Sequence, residues 1–455
     1  MKTGKNKDFS QGSVWGNILR MAIPMILAQL IHLLYNVVDR IYIGHIPGTD
    51  ALAMTGVGLT LPIMTILAAF ANLFGMGGAP LFSMSWGAGD EGRAQKIMGN
   101  AFSMLLGTGV LLGLACYVLR RPVLYLFGAS DATYPFADDY LTIYLIGTLF
   151  VMISHGMNYF INAQGFGVIG MMTVSIGAVI NLILDPILIF YMELGEEGAA
   201  IATVISQGIS TVWALWFLMG KRAIIPITRE SMKLSPGIVW EIVCLGISGF
   251  IMQITNSISQ IMGNVMLQTW GGDLYVGIMT VINSVREIIT LPMQGLTNGA
   301  KPVISFNYGA KRYDRVKSAI GFMSVACILM SVAAWGLMFF FPRFFLELFN
   351  DDPVLIETGI PAMRIYFAGI FMMSLQFAGQ STFTALGCAR HAVFFSTFRK
   401  VAIVAPLTVI LPALWGLGTD GVFLAEPISN YVGGIACYVT MMFVVRKKLR
   451  QEENT

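Results

Sequence analysis

Charge is what this sequence has least of. Only 12% of its 455 residues are Asp, Glu, Lys or Arg, against 56% that are hydrophobic. Soluble domains carry about 25% charged residues, so half that level cannot cover a water-facing globule. This argues against a soluble enzyme, a disordered chain and a nucleic-acid-binding module, and a formal charge of +3 is too small for a basic partner-binding face. Cysteine is scarce too. Cys116, Cys244, Cys327, Cys388 and Cys437 each sit in an apolar stretch with no metal-type spacing, and read as small buried hydrophobes. A Walker-type lysine loop, a nucleophile elbow and a cofactor fingerprint are all missing, which points away from direct ATP use, away from a bound cofactor and away from an enzyme.

Long apolar runs are what the chain has in quantity. A membrane-crossing helix needs about 20 apolar residues. The runs predict twelve spans near 16–44, 52–79, 94–119, 139–162, 168–191, 198–219, 238–268, 275–300, 317–341, 357–385, 393–415 and 421–445. The first run has no small-residue cleavage site and reads as a retained span. The period-two alternation of a membrane barrel is absent, so the expected fold is an all-α polytopic membrane protein. An even number of spans puts both termini on one side. Of the 28 Lys and Arg residues, 22 fall in the loops and tails of that side, against Arg40, Arg120, Arg121 and Arg343 on the other, with Arg286 and Arg364 inside spans. The richer side is expected to be cytoplasmic. With the acidic residues included, the cytoplasmic face carries +14, the outer face −9 and the span interiors −2.

The second half of the chain repeats the first. Pro80 and Trp86-Gly87-Ala88 correspond to Pro302 and Tyr308-Gly309-Ala310 at an offset of 222. Gln29 corresponds to Gln253 at 224, and Gly195, Gly198 and Ser206 to Gly418, Gly421 and Ser429 at 223. An offset held across a half-chain means a duplicated six-span unit. Six is even, so the copies share a topology and are expected to be related by a pseudo-two-fold axis along the membrane normal, as in parallel-repeat transporters. The expected organisation is an N-lobe over 1–218, a cytoplasmic linker over 219–237 and a C-lobe over 238–455.

Helical spacing then sorts the polar residues inside the spans. Gln29, His32, Asn36 and Asp39 are separated by 3, 4 and 3 residues and share one face of span one, with Tyr35 beside it. His155, Asn158 and Asn162 do the same in span four, Asn181 and Asp185 in span five, and Thr203, Gln207 and Ser210 in span six. Ionisable groups in a span are costly and point to function; the amides and hydroxyls would equally serve as interhelical hydrogen-bonding glue. Two carboxylates, an amide and a hydroxyl suit a hard cation such as Na⁺, and the same carboxylates can exchange protons. In the second half Gln253, Asn256, Gln260 and Asn264 repeat the span-one stripe, Gly263 replaces Asp39, Thr408 replaces Asp185 and Glu426 replaces Thr203. Glu287 in span eight is placed either to meet a cationic ligand or to pair with Arg286 or Arg364. Most of the 29 Met residues and the 12% aromatics read as lipid-facing or core, and those that line a cleft would suit varied apolar ligands.

The run Asn181-Leu-Ile-Leu-Asp185-Pro186, followed by Gly198-Ala-Ala-Ile-Ala-Thr203 and Ser206-Gln207, resembles the fifth-to-sixth-span signature of the MATE (multidrug and toxic compound extrusion) transporters. The Gly-Ala turns, Asp39 and the two six-span halves agree with it, and the resemblance covers essentially the whole chain. It implies a secondary active exporter in a bacterial inner membrane, acting as a monomer on cationic or aromatic drug-like compounds in exchange for inward Na⁺ or H⁺. Asp39, Asn181, Asp185 and Thr203 fall on the family's N-lobe cation site, and Asn158 on a span-four asparagine near it. Asn162 departs from an arginine common after span four. Carboxylates in the N-lobe resemble the DinF-like branch; the span-seven glutamate of the NorM-like and eukaryotic branches is absent. The remaining cleft candidates are His32, Tyr35, Asn36, His155, Gln207, Gln253, Asn256, Glu287 and Glu426. The alternative is a lipid-linked oligosaccharide flippase of related two-bundle architecture.

Overall fold

In a computed structural model of the chain, residues 9–44, 46, 52–349, 352–414 and 416–453 are described, without the side chains of 40, 44, 52–54, 452 and 453. Lys2, Lys5 and Lys7 of the charge count, and the side chain of Arg40, fall outside them. The described elements are helical: α1 (Val14–Gly44), α2 (Leu52–Gly87), α3 (Glu91–Leu126), α4 (Tyr134–Ile146), α5 (Thr148–Ala163), α6 (Gly167–Pro186), a π-helical turn (Ile187–Tyr191) and α7 (Gly195–Met219), then α8 (Pro236–Gly271), α9 (Asp273–Gly309), α10 (Tyr313–Phe340), α11 (Pro342–Glu347), α12 (Pro353–Phe367), α13 (Ile370–Ala385), α14 (Ala389–Thr397), a π-helical segment (Phe398–Val404), α15 (Ala405–Ala413) and α16 (Gly418–Glu453). Ten spans are long and apolar enough to cross a bilayer, and twelve when each of two bent pairs, α4–α5 at 56° and α12–α13 at 41°, counts as one. The protein is a multi-pass membrane protein. Large apolar side chains such as Val118, Leu126 and Phe340 stand exposed along these helices, as expected where lipid is the solvent.

The two bends were not legible in the hydropathy, yet they obey the repeat. They fall at Gly147 and at Ala368–Gly369, and the two glycines lie 222 residues apart. A Cβ on Gly147 would stand 2.6 Å from the Val204 side chain; one on Gly369 would stand 2.9 Å from Pro427 Cα. In each half the sixth span leans into the bend of the fourth, and only glycine leaves room for it. Gly198 against Leu188 and Gly421 against Leu411, at 2.8 and 2.6 Å, make a second matched pair of close approaches. Small residues at such crossings let backbones pack by van der Waals contact, which drives helix association where lipid removes the hydrophobic term.

Contacts divide the chain into two units. One is Ile23–Gly246 with the described residues ahead of Gly12; the other is Gly12–Ala22 with the chain from Ile247 onward. The division therefore falls within α1 and within α8, 224 residues apart. In the first unit, Gly77 of α2 receives the start of α8, where a Cβ would meet Ile242 O at 2.2 Å. In the second, Gly299 of α9 receives the start of α1, where a Cβ would meet Ala22 N at 2.6 Å. Each unit has its own apolar core, one around Leu67, Leu124 and Leu141, the other around Ile282, Met363 and Phe423.

The segment over 219–237 belongs to the first unit because side chains of that unit hold its backbone. Buried Asn100 of α3 donates Nδ2 to Ser231 O at 3.2 Å and Lys233 O at 3.1 Å, and its Oδ1 accepts from Ser235 N at 2.7 Å. Ser103 donates to Met232 O at 2.6 Å and Gln95 to Pro226 O at 2.8 Å. Gln164 Oε1 accepts from Ile224 N and Ile225 N. Each such bond contributes about 0.5–1.5 kcal/mol net. Asn100→Ala is therefore expected to loosen this segment, read as faster tryptic cleavage after Arg229 and Lys233 in the detergent-solubilised protein. An unchanged cleavage rate would mean that the remaining clamps suffice.

Candidate functional site

Four helices of the first unit bring its polar stripes together. Asn181 and Asp185 lie one turn apart near the end of α6, and neither has any exposed surface. Pro186 closes that helix and the chain continues as the π-helical turn, a widening expected where proline removes a donor from the ladder. The Asp185 carboxyl lies beside the Asp39 carboxyl of α1 and the Asn181 amide. Asn181 donates Nδ2 to Thr203 Oγ1 of α7 at 3.4 Å, and Thr203 donates on to Ala199 O at 3.0 Å. Tyr35 of α1 and Tyr140 of α4 both reach Thr203, with Asp39 close to each. The four residues expected to form a cation site thus lie together in the first unit, Asn181, Asp185 and Thr203 buried and Asp39 partly so.

The pocket's electrostatics follow from what its oxygens lack. Neither carboxylate oxygen of Asp185, nor Oδ1 of Asn181, makes a hydrogen bond of normal length among the described residues. Buried polar atoms are nearly always satisfied, so three such oxygens close together set this place apart from the rest of the first unit. No group of three or more His, Cys, Asp or Glu side chains placed to hold a metal ion occurs among the described residues, this place included.

Two residues of this pocket escaped the sequence reading. Tyr140 and Tyr144, 2% and 4% exposed, stack at 6.2 Å and wall the pocket from α4. Their spacing of four was the available signal, hidden because tyrosine in an apolar run looks like core. The histidines lie beside the pocket. Asn36 Nδ2 is 3.0 Å from His32 Nδ1, and the His32 ring meets Tyr35 and His155, each at 6.0 Å between centroids. Gln207 accepts from Ser154 at 2.9 Å.

Asn158 stands apart from the cation pocket. Its Oδ1 and that of Asn162 point at Gly170, where an added Cβ would lie 3.0 and 2.3 Å from them. Gly170 is eleven residues from Asn181 on α6, about 16 Å along the helix at 1.5 Å per residue.

The second unit departs most from expectation. Arg399 and Lys400, counted above with the cytoplasmic loops, lie within the π-helical segment in the middle of the span Ala389–Ala413. They are held there by Glu426, which accepts from Arg399 Nη1 at 2.9 Å and from Lys400 Nζ at 3.1 Å on both oxygens. A proximity count cannot see that pairing, because the acid is 26 residues away. Glu426 is therefore committed to an internal ion cluster rather than to an open cleft. The correction leaves 20 bases on the expected cytoplasmic side and balances the span interiors at four acids and four bases. Glu287 is exposed, and among the ion pairs of the described residues none joins it to Arg286 or Arg364. Arg286 donates to the Tyr366 hydroxyl at 3.1 Å and Arg364 to Phe339 O at 3.3 Å. Gln253 and Asn256 lie on α8, half-buried and exposed.

The MatE family pattern matches residues 24–187 and 249–410, one stretch in each half. The multidrug export protein MepA of Staphylococcus haemolyticus is 26% identical over 443 residues, covering 96% of this chain and 94% of that protein. Among solved structures, a MATE protein in complex with MaD3S superposes with a TM-score of 0.92 at 22% identity, covering 99% of this chain and 100% of the other. The outward-facing conformation of a MATE family transporter of the MOP superfamily gives 0.91 at 22% identity, covering 98% and 99%. These structures establish the all-helical transporter fold.

The Gly170 contact yields a test. Gly170→Ala would drive a methyl onto Asn162 Oδ1, an overpacking that costs about 1–3 kcal/mol. It is expected to lower the melting temperature in detergent, with Asn162→Ala in the same chain recovering most of the loss. Additive losses would mean the two positions do not touch.

Proposed function

Because the chain belongs to the MatE family, we propose that it is a secondary active multidrug exporter of a bacterial inner membrane. It acts as a single chain with cytoplasmic termini, exchanging cationic or aromatic drug-like compounds for inward Na⁺ or H⁺. The observation that carries the coupling is the first unit's buried pocket, with Asp185 and Asn181 oxygens lacking donors. Similarity to multidrug exporters disfavours the lipid-linked oligosaccharide flippase, and the basic side of the charge count supports the orientation.

In this reading Asp39 and Asp185 are the coupling carboxylates, and Asn181 and Thr203 complete an oxygen set for Na⁺ or steady a carboxyl that takes H⁺. A buried acid pair is costly while both groups are charged. Cation entry from outside relieves that cost, draws the surrounding helices together and favours release of drug. Return of the carrier with new drug requires the cation to leave inward. Tyr35, Tyr140 and Tyr144 wall the pocket and keep its dielectric low, so that the pocket distinguishes strongly between loaded and empty. His32, Asn36, His155, Asn158, Gln207, Gln253, Asn256 and Glu287 remain proposed cleft contacts. The lack of a span-seven glutamate in the Gln253–Asn264 stripe favours the DinF-like branch.

Asp39→Asn and Asp185→Asn, each produced at normal level, are expected to abolish efflux of a fluorescent organic cation. Wild-type efflux in both would remove the carboxylates from coupling. In proteoliposomes, imposing a Na⁺ gradient and a pH gradient separately is expected to drive dye movement under one of them. Movement under neither would overturn antiport.

A further inference from the structure

The two units carry opposite charge in their spans. The first holds Asp39 and Asp185. The second holds Arg286, Arg364, Arg399 and Lys400 against Glu287 and Glu426. Most of that positive excess is concentrated in one place. Arg399 Nη1 donates to Glu426 at 2.9 Å and to Asn430 Oδ1 at 2.7 Å. Lys400, only 3% exposed, brackets both Glu426 oxygens. Arg286 donates to the Tyr366 hydroxyl at 3.1 Å and lies close enough to feel the charge of Glu426. The cluster joins three cationic side chains to one carboxylate.

The donors outnumber the acceptors in the same way. Two guanidiniums and an ammonium present thirteen N–H donors by their chemistry. Arg399 Nη1, Lys400 Nζ and Arg286 Nη1 are the nitrogens with side-chain partners among the described residues. Arg399 Nη2 and Nε are left with none, on a side chain 11% exposed. A lone glutamate cannot neutralise the group, and buried charge in a span persists where it is paired or where it meets a charged ligand. The cluster is also built into the fold. Arg399 lies over Gly433, where a Cβ would strike its side chain at 2.8 Å, so glycine makes room for it. The matching position in the first half is Ser210, which faces Gly177 instead.

We infer that the second unit's Arg286–Arg399–Lys400–Glu426 cluster is a binding site for a monovalent anion, with Glu426 acting as an internal competitor for the same cations. The chemistry is one negative charge presented to a guanidinium fork and an ammonium. It can come from a free halide or from a small carboxylate. The site is distinct from the proposed coupling pocket and does not depend on it.

The test is equilibrium binding of radiolabelled chloride to the purified, detergent-solubilised protein, with sodium acetate as competitor and folding followed by size-exclusion profile. Saturable chloride binding is expected in the wild type. Arg399→Gln is expected to weaken it by at least about tenfold, the scale of one charge-assisted hydrogen bond. Glu426→Gln keeps the side-chain volume and removes the competitor, so it is expected to bind chloride several-fold more tightly than wild type. A purely structural ion cluster would give the opposite result for Glu426→Gln, no gain in binding. Displacement by acetate assigns the carboxylate source; chloride bound but untouched by acetate assigns the halide. Absence of saturable binding with either labelled chloride or labelled acetate would overturn the proposal, as would equal binding by wild type and both variants. Because the readout is binding alone, it stands whether or not the exporter reading survives its own transport assay.

Discussion

A charge inside a bilayer must find a partner within the protein, and the interior of this molecule is organised around that demand. The two copies of the repeat meet it at equivalent places, between their fifth and sixth spans, with opposite signs. In the first copy Asn181 and Asp185 face Thr203 and leave acceptors without donors. In the second, Arg399 and Lys400 face Glu426 and Asn430. The backbone is shared; what differs is which side chains the close helix crossing admits. Duplication supplied one frame, and divergence at a few positions gave it two electrostatic poles.

The same crossing depends on glycine. Gly198 against Leu188 and Gly421 against Leu411 set how near the sixth span of each copy comes to the fifth. Polar groups on facing helices meet at hydrogen-bonding distance only when the backbones are that close. Packing geometry and site chemistry are therefore one problem in this fold, since a larger residue at either glycine would separate the groups that the site needs together.

Much of this was legible in the sequence because spans are governed by length and hydropathy alone. The twelve spans, the duplication and the convergence of Asp39, Asn181, Asp185 and Thr203 all follow from period and spacing. What stayed hidden was long-range. The bends at Gly147 and Gly369 do not change hydropathy. Tyr140 and Tyr144 look like ordinary apolar-face residues until Thr203 and Tyr35 are seen beside them. Arg399 and Lys400 read as loop cations because their neutralising partner is a full span away, and Glu426 accordingly read as a free acid. Asn158 shared a helical face with His155, yet that face passes Gly170 at a level well removed from Asp185. Each miss concerns a pairing between segments, which no local window contains.

The division of α1 and α8 between the units has a topological consequence. The two halves of the chain are not separable products of the gene duplication. Each has surrendered the opening turns of its first long helix to the other's core, at Gly299 and at Gly77. This is a reciprocal exchange within one polypeptide, of the kind that links swapped dimers. Neither half-chain alone therefore contains a whole unit, because each unit draws the first turns of a long helix from the other half of the sequence.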